Sequence, residues 1–371
     1  MIYFDNAASM KPCRAALDAF SLTAERHYAN PSALHSAGIA AEKIVFDSAD
    51  SLLSHFPPGG KLLFTSGATE SNNLAIMSAL EAGKNSGKRV VTTGIEHKSV
   101  SEVFRALSQS GRYSECEITE LSPKDFPDKE AFTSAVAGSV DDRTVLVSAM
   151  GVNNETGYTI DMPYLYREIK RRNKNTIVHS DYAAGFLKTR MEGDLISVSA
   201  HKIGGIKGVG GLYYKKGVRL SPMMFGGGQQ KGLRPGTIPV ELIAAFAAAA
   251  EWYGGFVKNC ENSREIDKLL QLLRELPDIT INGAEHNFVN FSVVGVPSEI
   301  MLHYLAENDI FVSSGSACSS KVKENVVLRN IGVKSREAAS AIRVSFSPEN
   351  TVSEVEILAS YIGKAIQRFR R

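Results

Sequence analysis

Lys202 follows the apolar run Leu195-Ile196-Ser197-Val198-Ser199-Ala200 and precedes Gly204-Gly205. A lysine just past a strand end, partly shielded from water, can lose its proton and attack an aldehyde. About twenty residues upstream, Thr176-Ile177-Val178-His179-Ser180-Asp181 reads as a short strand that delivers a carboxylate at its end. Such a carboxylate could keep a pyridinium nitrogen protonated, or simply cap the turn that follows. Phe64-Thr65-Ser66-Gly67-Ala68-Thr69-Glu70-Ser71 reads as strand, glycine turn and helix start, the way a chain cradles a phosphate. There Ala68 and Thr69 sit at the positive end of a helix dipole, although Thr69 could equally be only a helix cap. An aldehyde trap, a ring-nitrogen partner and a phosphate cradle together describe one cofactor, pyridoxal 5'-phosphate.

Other residue types extend the pattern. His97, in Glu96-His97, follows the strand Arg89–Thr93 and could stack on an aromatic ring and shuttle protons, or be structural. Asn153-Asn154-Glu155-Thr156-Gly157 reads as a turn whose Asn154 could also meet a ligand. Ser199 and His201 flank Lys202 closely enough to point at the same phosphate. Cys318 lies among small polar neighbours, Ser313-Ser314-Gly315-Ser316-Ala317-Cys318-Ser319-Ser320-Lys321, a setting for a thiolate nucleophile as well as for an inert loop cysteine. Arg343, on Ala341-Ile342-Arg343-Val344-Ser345, needs an anion if buried: a bound carboxylate or an internal salt-bridge partner.

The elements that must position these groups follow from periodicity. Strands are expected at Lys61–Thr65, Arg89–Thr93, Cys116–Glu120, Thr144–Ala149, Thr176–Ser180, Leu195–Ser199 and Gly211–Tyr214, with helices such as Ser99–Ser110 and Pro163–Arg172 between them. This alternation predicts an α/β fold, a mostly parallel sheet with helices on both faces, whose ligand crevice lies beyond the carboxyl ends of the strands. A long helical pattern from Pro239 to Leu276 is expected to break at Gly254-Gly255. Strands at Asn290–Val294, Ile310–Ser313 and Ala341–Ser347 then alternate with helices in a smaller α+β unit. The chain is expected to divide into a large unit, 13–255, and a small one formed by 1–12 and 256–371.

Bulk properties narrow the classes. With 371 residues, 43% hydrophobic and 22% charged, the chain is neither disordered nor membrane-like in composition. Its 42 basic and 40 acidic residues are well mixed, with no basic stripe to bind nucleic acid. The apolar run Ile243 to Val257 reads as a buried helix, too short and too alanine-rich to span a bilayer. Cys13, Cys116, Cys260 and Cys318 form no CxxC pair, so neither a disulfide framework nor a thiolate metal site is expected. No secretory signal is expected at the N-terminus, and the cytoplasm is the expected compartment.

Taken together, these residues resemble the cysteine desulfurases of the NifS type, within the class V aminotransferase group. The resemblance runs from Phe4-Asp5-Asn6-Ala7-Ala8 to Arg343, through Asn30-Pro31-Ser32, FTSGATESNN (Phe64–Asn73), Glu96-His97-Lys98, NNETG, Ser199–Lys202, GGGQQKGLRPGT (Gly226–Thr237) and SSGSAC ending at Cys318. It implies pyridoxal-phosphate fold-type I, with a seven-stranded sheet, and a homodimer with its active site at the subunit interface. It implies that Lys202 forms the Schiff base and moves the Cα proton, that His97 stacks on the ring and that Asp181 partners the ring nitrogen. Ala68, Thr69, Ser199 and His201 would then hold the phosphate, and Thr237 would reach it from the other subunit. Asn154 and Arg343 would take the carboxylate of L-cysteine, and Cys318 would carry the persulfide as alanine leaves. The sulfur would pass to an acceptor protein for cluster or thio-cofactor synthesis.

Three departures stand out. Asp181-Tyr182-Ala183-Ala184 places Ala184 where the family has a glutamine that donates to the cofactor's phenolic oxygen. Gln230-Lys231 replaces the usual Glu-Arg, and Pro235 a common serine. The chain also ends at Arg371, without the tail by which housekeeping members hold an iron–sulfur scaffold. Selenocysteine lyase, another class V lyase or aminotransferase, and a weakly active dimeric regulator are the alternatives that share these features.

Overall fold

The fold comes from a computed structural model that describes residues 1–83, 89–109, 116–259, 262–314 and 325–369. Seven strands form the main sheet. In spatial order they are Gly60–Thr65, Gly210–Lys215, Leu195–Ser199, Ile177–Asp181, Thr144–Met150, Arg89–Thr93 and Glu117–Leu121. All run parallel except Gly210–Lys215, which is antiparallel to both neighbours. The central strands Thr144–Met150 and Leu195–Ser199 are buried along their whole length. That is the signature of a sheet covered on both faces.

Two clusters of buried apolar residues pack against this sheet. One joins Val91, Val147, Val178, Ile196 and Val198 to the helix Val240–Asn259. The other joins Leu63, Val90, Leu146, Leu195 and Leu212 to the helices Ala68–Gly83 and Lys98–Gln109. A separate core forms around the antiparallel sheet Ala341–Ser345, Phe288–Val293 and Ile279–Glu285, covered by the helix Val352–Phe369. The short strand Ile2–Tyr3 pairs in parallel with Ile310–Phe311 and so ties the N-terminus to this smaller core.

The expected helix break at Gly254-Gly255 is not there. One helix, Val240–Asn259, runs through both glycines, and the next helix, Ser263–Arg274, follows it. Two glycines cost a helix about 1 kcal/mol each relative to alanine, but Ile243, Phe246, Ala249, Ala250 and Tyr253 anchor one face in the main core. The helix also contains an 18-residue stretch long and apolar enough to cross a membrane, so the expected shortness does not hold either. Its place is against the helices Arg14–Arg26 and Ser36–Leu53.

Candidate functional site

Thr65, Thr93, Met150, Asp181 and Ser199 are the carboxyl-terminal residues of five parallel strands, and Ala68, Thr69, His97, Asn154, Asp181, Ser199, His201 and Lys202 lie at or just beyond them. Gly67 turns the chain from Thr65 into the helix that begins at Ala68. The turn lies against Gly210: a Cβ there would meet Gly67 Cα at 2.6 Å, so bare backbone is required on that side. Ala68 is half-buried and Thr69 is exposed at the helix start. Ser199 Oγ lies 3.9 Å from where a Gly67 Cβ would stand. The turn at Gly67 thus lies beside Ser199, with Thr69 at the helix start that follows.

Lys202 ends a short 3-10 turn, Ala200–Lys202. Gly204, at φ +79°, reverses the chain where a Cβ would strike the Trp252 ring at 2.8 Å. No hydrogen bond or ion pair engages Lys202 Nζ among the described residues. Burial lowers its pKa, with Arg343 adding to the effect, while Asp181 and Asp5 oppose it. A buried amine that is easier to deprotonate is a nucleophile and a base. His201 is buried enough that its pKa falls to about 4, and its Nδ1 has no hydrogen-bond partner among the described residues.

Asp181 is buried, and both its oxygens are held. Oδ1 accepts from the Ala183 amide at 2.8 Å and Oδ2 from Asn72 Nδ2 at 2.8 Å. Beneath it, His179 Nε2 faces Asn72 Oδ1 at 3.2 Å and Ser197 Oγ at 3.1 Å, while Nδ1 faces Ser148 Oγ at 2.9 Å. Burial pushes the His179 pKa down to about 4. His97 is half-buried, and its Nδ1 meets Ser99 Oγ at 2.8 Å and the Ser99 amide at 3.1 Å. Burial lowers the His97 pKa, against the pull of Asp181. Its neighbour Glu96 is a buried acid whose carboxyl is pushed up to about 8.

The Asn153–Gly157 turn is structural at most of its positions. Asn153 donates to Ile95 O at 3.0 Å and accepts from the amides of Glu155 and Thr156. Asn154 makes no side-chain hydrogen bond among the described residues, but its carbonyl accepts from Arg343 Nη1 at 3.0 Å. Arg343 is 4% exposed and pairs with Asp5 at 2.6 Å. Of the two anions the sequence leaves open, the internal one is present. Arg343 Nε has no partner among the described residues, so the guanidinium keeps one donor to offer.

Thr237 is exposed, and no hydrogen bond joins it to this cluster among the described residues. Its segment is nevertheless anchored to the phosphate-type turn. Gln230 accepts from the Phe64 amide at 2.8 Å and donates to the Phe64 carbonyl at 2.9 Å, and Arg234 pairs with Glu70 at 2.9 Å. A glutamate at position 230 could accept but not donate, which gives this departure from the family pattern a physical reason. Ala184 is buried against Ala7, Val152 and Phe288. Cys318, like all of 315–324, lies outside the described residues.

Sequence reasoning missed Asn72, Ser99, His179 and Asp5 as members of the site. His179 and Asp181 share one sheet face because strand side chains alternate, and Asn72 falls one helical turn after Thr69. Those spacings were the available signal.

Pyridoxal phosphate fits these residues. A half-buried lysine without an ion-pair partner, a buried carboxylate, a bare glycine turn at a helix start, and the unpartnered Nδ1 of His201 are what its aldehyde, ring nitrogen and phosphate require.

Comparison with known proteins agrees. The family described as Aminotransferase class-V matches residues 2–358. The chain is 36% identical over 366 residues to cysteine desulfurase IscS of Rickettsia typhi, covering 93% of this chain and 86% of that protein. It is 34% identical to a NifS/IcsS protein homolog of Lactobacillus delbrueckii, covering 100% and 98%. A solved structure of a NifS-like protein superposes with a TM-score of 0.89 at 29% identity, covering 99% of each chain.

Proposed function

The chain belongs to the class-V aminotransferase family, and we propose that Lys202, Asp181, His97 and the 67–69 turn form its pyridoxal-phosphate site. The protein is a pyridoxal-phosphate-dependent cysteine desulfurase, converting L-cysteine to L-alanine and a protein persulfide. The observation that carries the residue assignment is the Lys202 amine, half-buried and without a hydrogen bond or ion pair among the described residues, beside Asp181 at adjacent strand ends.

When bound, pyridoxal phosphate supplies the carbonyl that captures an amine and a ring that withdraws electrons from its Cα. Lys202 Nζ, easily deprotonated in its buried setting, takes the Cα proton. Asp181 holds the ring-nitrogen proton, and His97 covers the ring face. The amides at Ala68 and Thr69, with the side chains of Thr69, Ser199 and His201, bind the phosphate. Arg343, through its remaining donor, and Asn154 orient the carboxylate of the substrate. The Cys318 thiolate attacks the substrate sulfur, the Cβ–S bond breaks, its electron pair stays with Cβ and is protonated, and a Cys318 persulfide remains.

The family is generally dimeric, and this chain reads as a homodimer in which Thr237 of each subunit reaches the phosphate of the other. Supporting this, Leu17, Leu22, Tyr28, Leu34, Ile39 and Phe46 are exposed on the first two long helices and the loop between them. Phe225, 90% exposed, lies in the segment that carries Thr237. Such a concentration of large apolar side chains suits a permanent subunit contact. Residues 13–255 form the cofactor unit, with 1–12 and 256–371 the smaller one, a division supported by their separate apolar cores. The enzyme acts in the cytoplasm and passes sulfur to an acceptor protein.

The test is direct. The purified protein should be yellow, lose that colour to borohydride by reduction onto Lys202, and release sulfide and alanine from cysteine. Lys202→Ala should abolish the reducible absorbance and turnover together. Cys318→Ala should keep the absorbance while sulfide and alanine production collapses; near wild-type turnover in that variant would remove Cys318 from its role.

A further inference from the structure

Asn72 lies on the inner face of the helix Ala68–Gly83 and is fully buried. Its Nδ2 is 2.8 Å from Asp181 Oδ2 and 2.8 Å from Ser99 Oγ. A carboxylate only accepts, so the NH2 end of the amide must face Asp181 and its carbonyl must face His179 Nε2. Both N–H groups are then committed. Ser99 Oγ accepts one of them and keeps its own proton for His97 Nδ1, 2.8 Å away. The Ser99 backbone N–H, which can only donate, points at the same nitrogen at 3.1 Å. A nitrogen that receives two donors carries no proton. The network therefore assigns His97 as the neutral tautomer with its hydrogen on Nε2.

We propose that Asn72 is a positioning residue of the desulfurase site: one N–H braces Asp181, and the other, through Ser99, holds His97 neutral with its proton on Nε2. The proposal rests on the reading of Asp181 and His97 as cofactor residues. It goes beyond that reading because Asn72 and Ser99 act through those two side chains, with Asn72 also held by His179. The coupling has a physical reason. Asp181 and His97 would meet the same ring from different directions, and a single rigid amide fixes the carboxylate's orientation and the imidazole's protonation together.

The groups that set the His97 charge are few. Asp181 acts on it from a strand end two places across the sheet, Lys202 from the turn after Ser199, and Lys98 from the start of the helix that follows His97. Glu96 directs its bound oxygen to Thr93 and the Met150 amide instead. Burial already lowers the His97 pKa. The Ser99 hydroxyl adds to this, because a hydrogen bond given to the neutral form disfavours the charged one.

The test compares holoenzyme of wild type, Asn72→Asp and Ser99→Ala, labelled with 15N-histidine. Ring-nitrogen resonances are followed against pH, and the His97 signal among eight histidines is identified from a His97→Gln spectrum. Asn72→Asp preserves shape but puts an acceptor where the donor was. The Ser99 hydroxyl proton then turns to the new carboxylate, Nδ1 loses one of its two donors, and the preference for the neutral imidazole weakens. The His97 pKa should rise by about one unit or more, and Ser99→Ala should raise it by less. The charge of a new carboxylate would itself raise the His97 pKa, so the uncharged Ser99→Ala separates the bridge from a plain charge effect: a Ser99 with a purely structural role would leave this titration where it is. An unchanged His97 titration in folded Asn72→Asp overturns the proposal. Should that buried substitution fail to fold, Ser99→Ala decides alone, and an unchanged titration there is equally fatal. The borohydride-sensitive absorbance of the wild type tests the cofactor reading separately: its absence would sink that reading, whereas the imidazole titration addresses the bridge alone.

Discussion

Glu96 is a buried acid of the site, 7% exposed, and its protonation should be visible in stability. Oε1 accepts from Thr93 Oγ1 at 2.5 Å and from the Met150 amide at 2.8 Å, whereas Oε2 has no partner among the described residues. Burial, more than the nearby charges of Asp181 and Glu120, pushes its carboxyl from 4.5 up to about 8, against the two hydrogen bonds. The folded state therefore keeps a proton that the unfolded chain releases. The stability this contributes is fully present below about pH 4.5 and is lost as pH rises through about 8. A gap of about 3.5 units, at about 1.4 kcal/mol per unit, corresponds to about 5 kcal/mol across the whole window. Glu96→Gln keeps the Oε1 acceptor but cannot ionise. At pH 5 the variant should match wild type within about 1 kcal/mol, and by pH 9 it should be the more stable by about 4 to 5 kcal/mol. Urea midpoints from pH 5 to 9, followed by the fluorescence of the single tryptophan, Trp252, with cofactor saturating in both proteins, measure the difference. Parallel pH curves for the two proteins would show that Glu96 is ionised throughout, and the reasoning from burial would fail.

Two further substitutions probe the site's rim. Asp5→Asn removes the charge paired with Arg343; with Asp5 24% exposed, about 2 to 3 kcal/mol of stability should be lost. The freed guanidinium should lower KM for cysteine, and a raised KM in steady-state assays would instead make Asp5 the group that aims the arginine. Ala184→Gln should slow cofactor loss during dialysis by up to about tenfold, from one added hydrogen bond. It should also cost about 1 to 3 kcal/mol in thermal unfolding from crowding Ala7, Val152 and Phe288. Unchanged retention would mean that the phenolic oxygen already has a donor.

The sheet was legible because each of its strands carries its own signal. The run Leu195–Ser199 is apolar apart from two serines, and Thr144–Met150 is mostly apolar; both strands lie where the apolar runs put them. Boundaries moved by only a residue or so, as at Ile177–Asp181, where the expected strand was Thr176–Ser180. The helix Val240–Asn259 was misjudged for the opposite reason. Local glycine propensity predicts a break, but a long buried face packed on two neighbouring helices outweighs a penalty of about 2 kcal/mol.

The site divides along the same line. Lys202, Asp181 and the 67–69 turn can be picked out from the chain because each stands at or just past an apolar strand, where a ligand crevice is expected. Asn72, Ser99 and His179 cannot, because an asparagine in a helix or a histidine in a strand is ordinary until its partners are known. Their meaning lies in pairings such as Asn72 with Asp181, 109 residues apart, and Asn72 with Ser99, 27 apart. Helix packing on the sheet supplies those pairings, and register adds others: Ser148 stands opposite His179 across one ladder, and Asp181 opposite Ser197 across the next. A polar group buried in that interior has to be satisfied, so once the sheet order is fixed the partners are nearly forced. The groups that would meet a cofactor can thus be read singly from the chain, whereas the groups that hold them at the right charge emerge only when the strands are brought side by side.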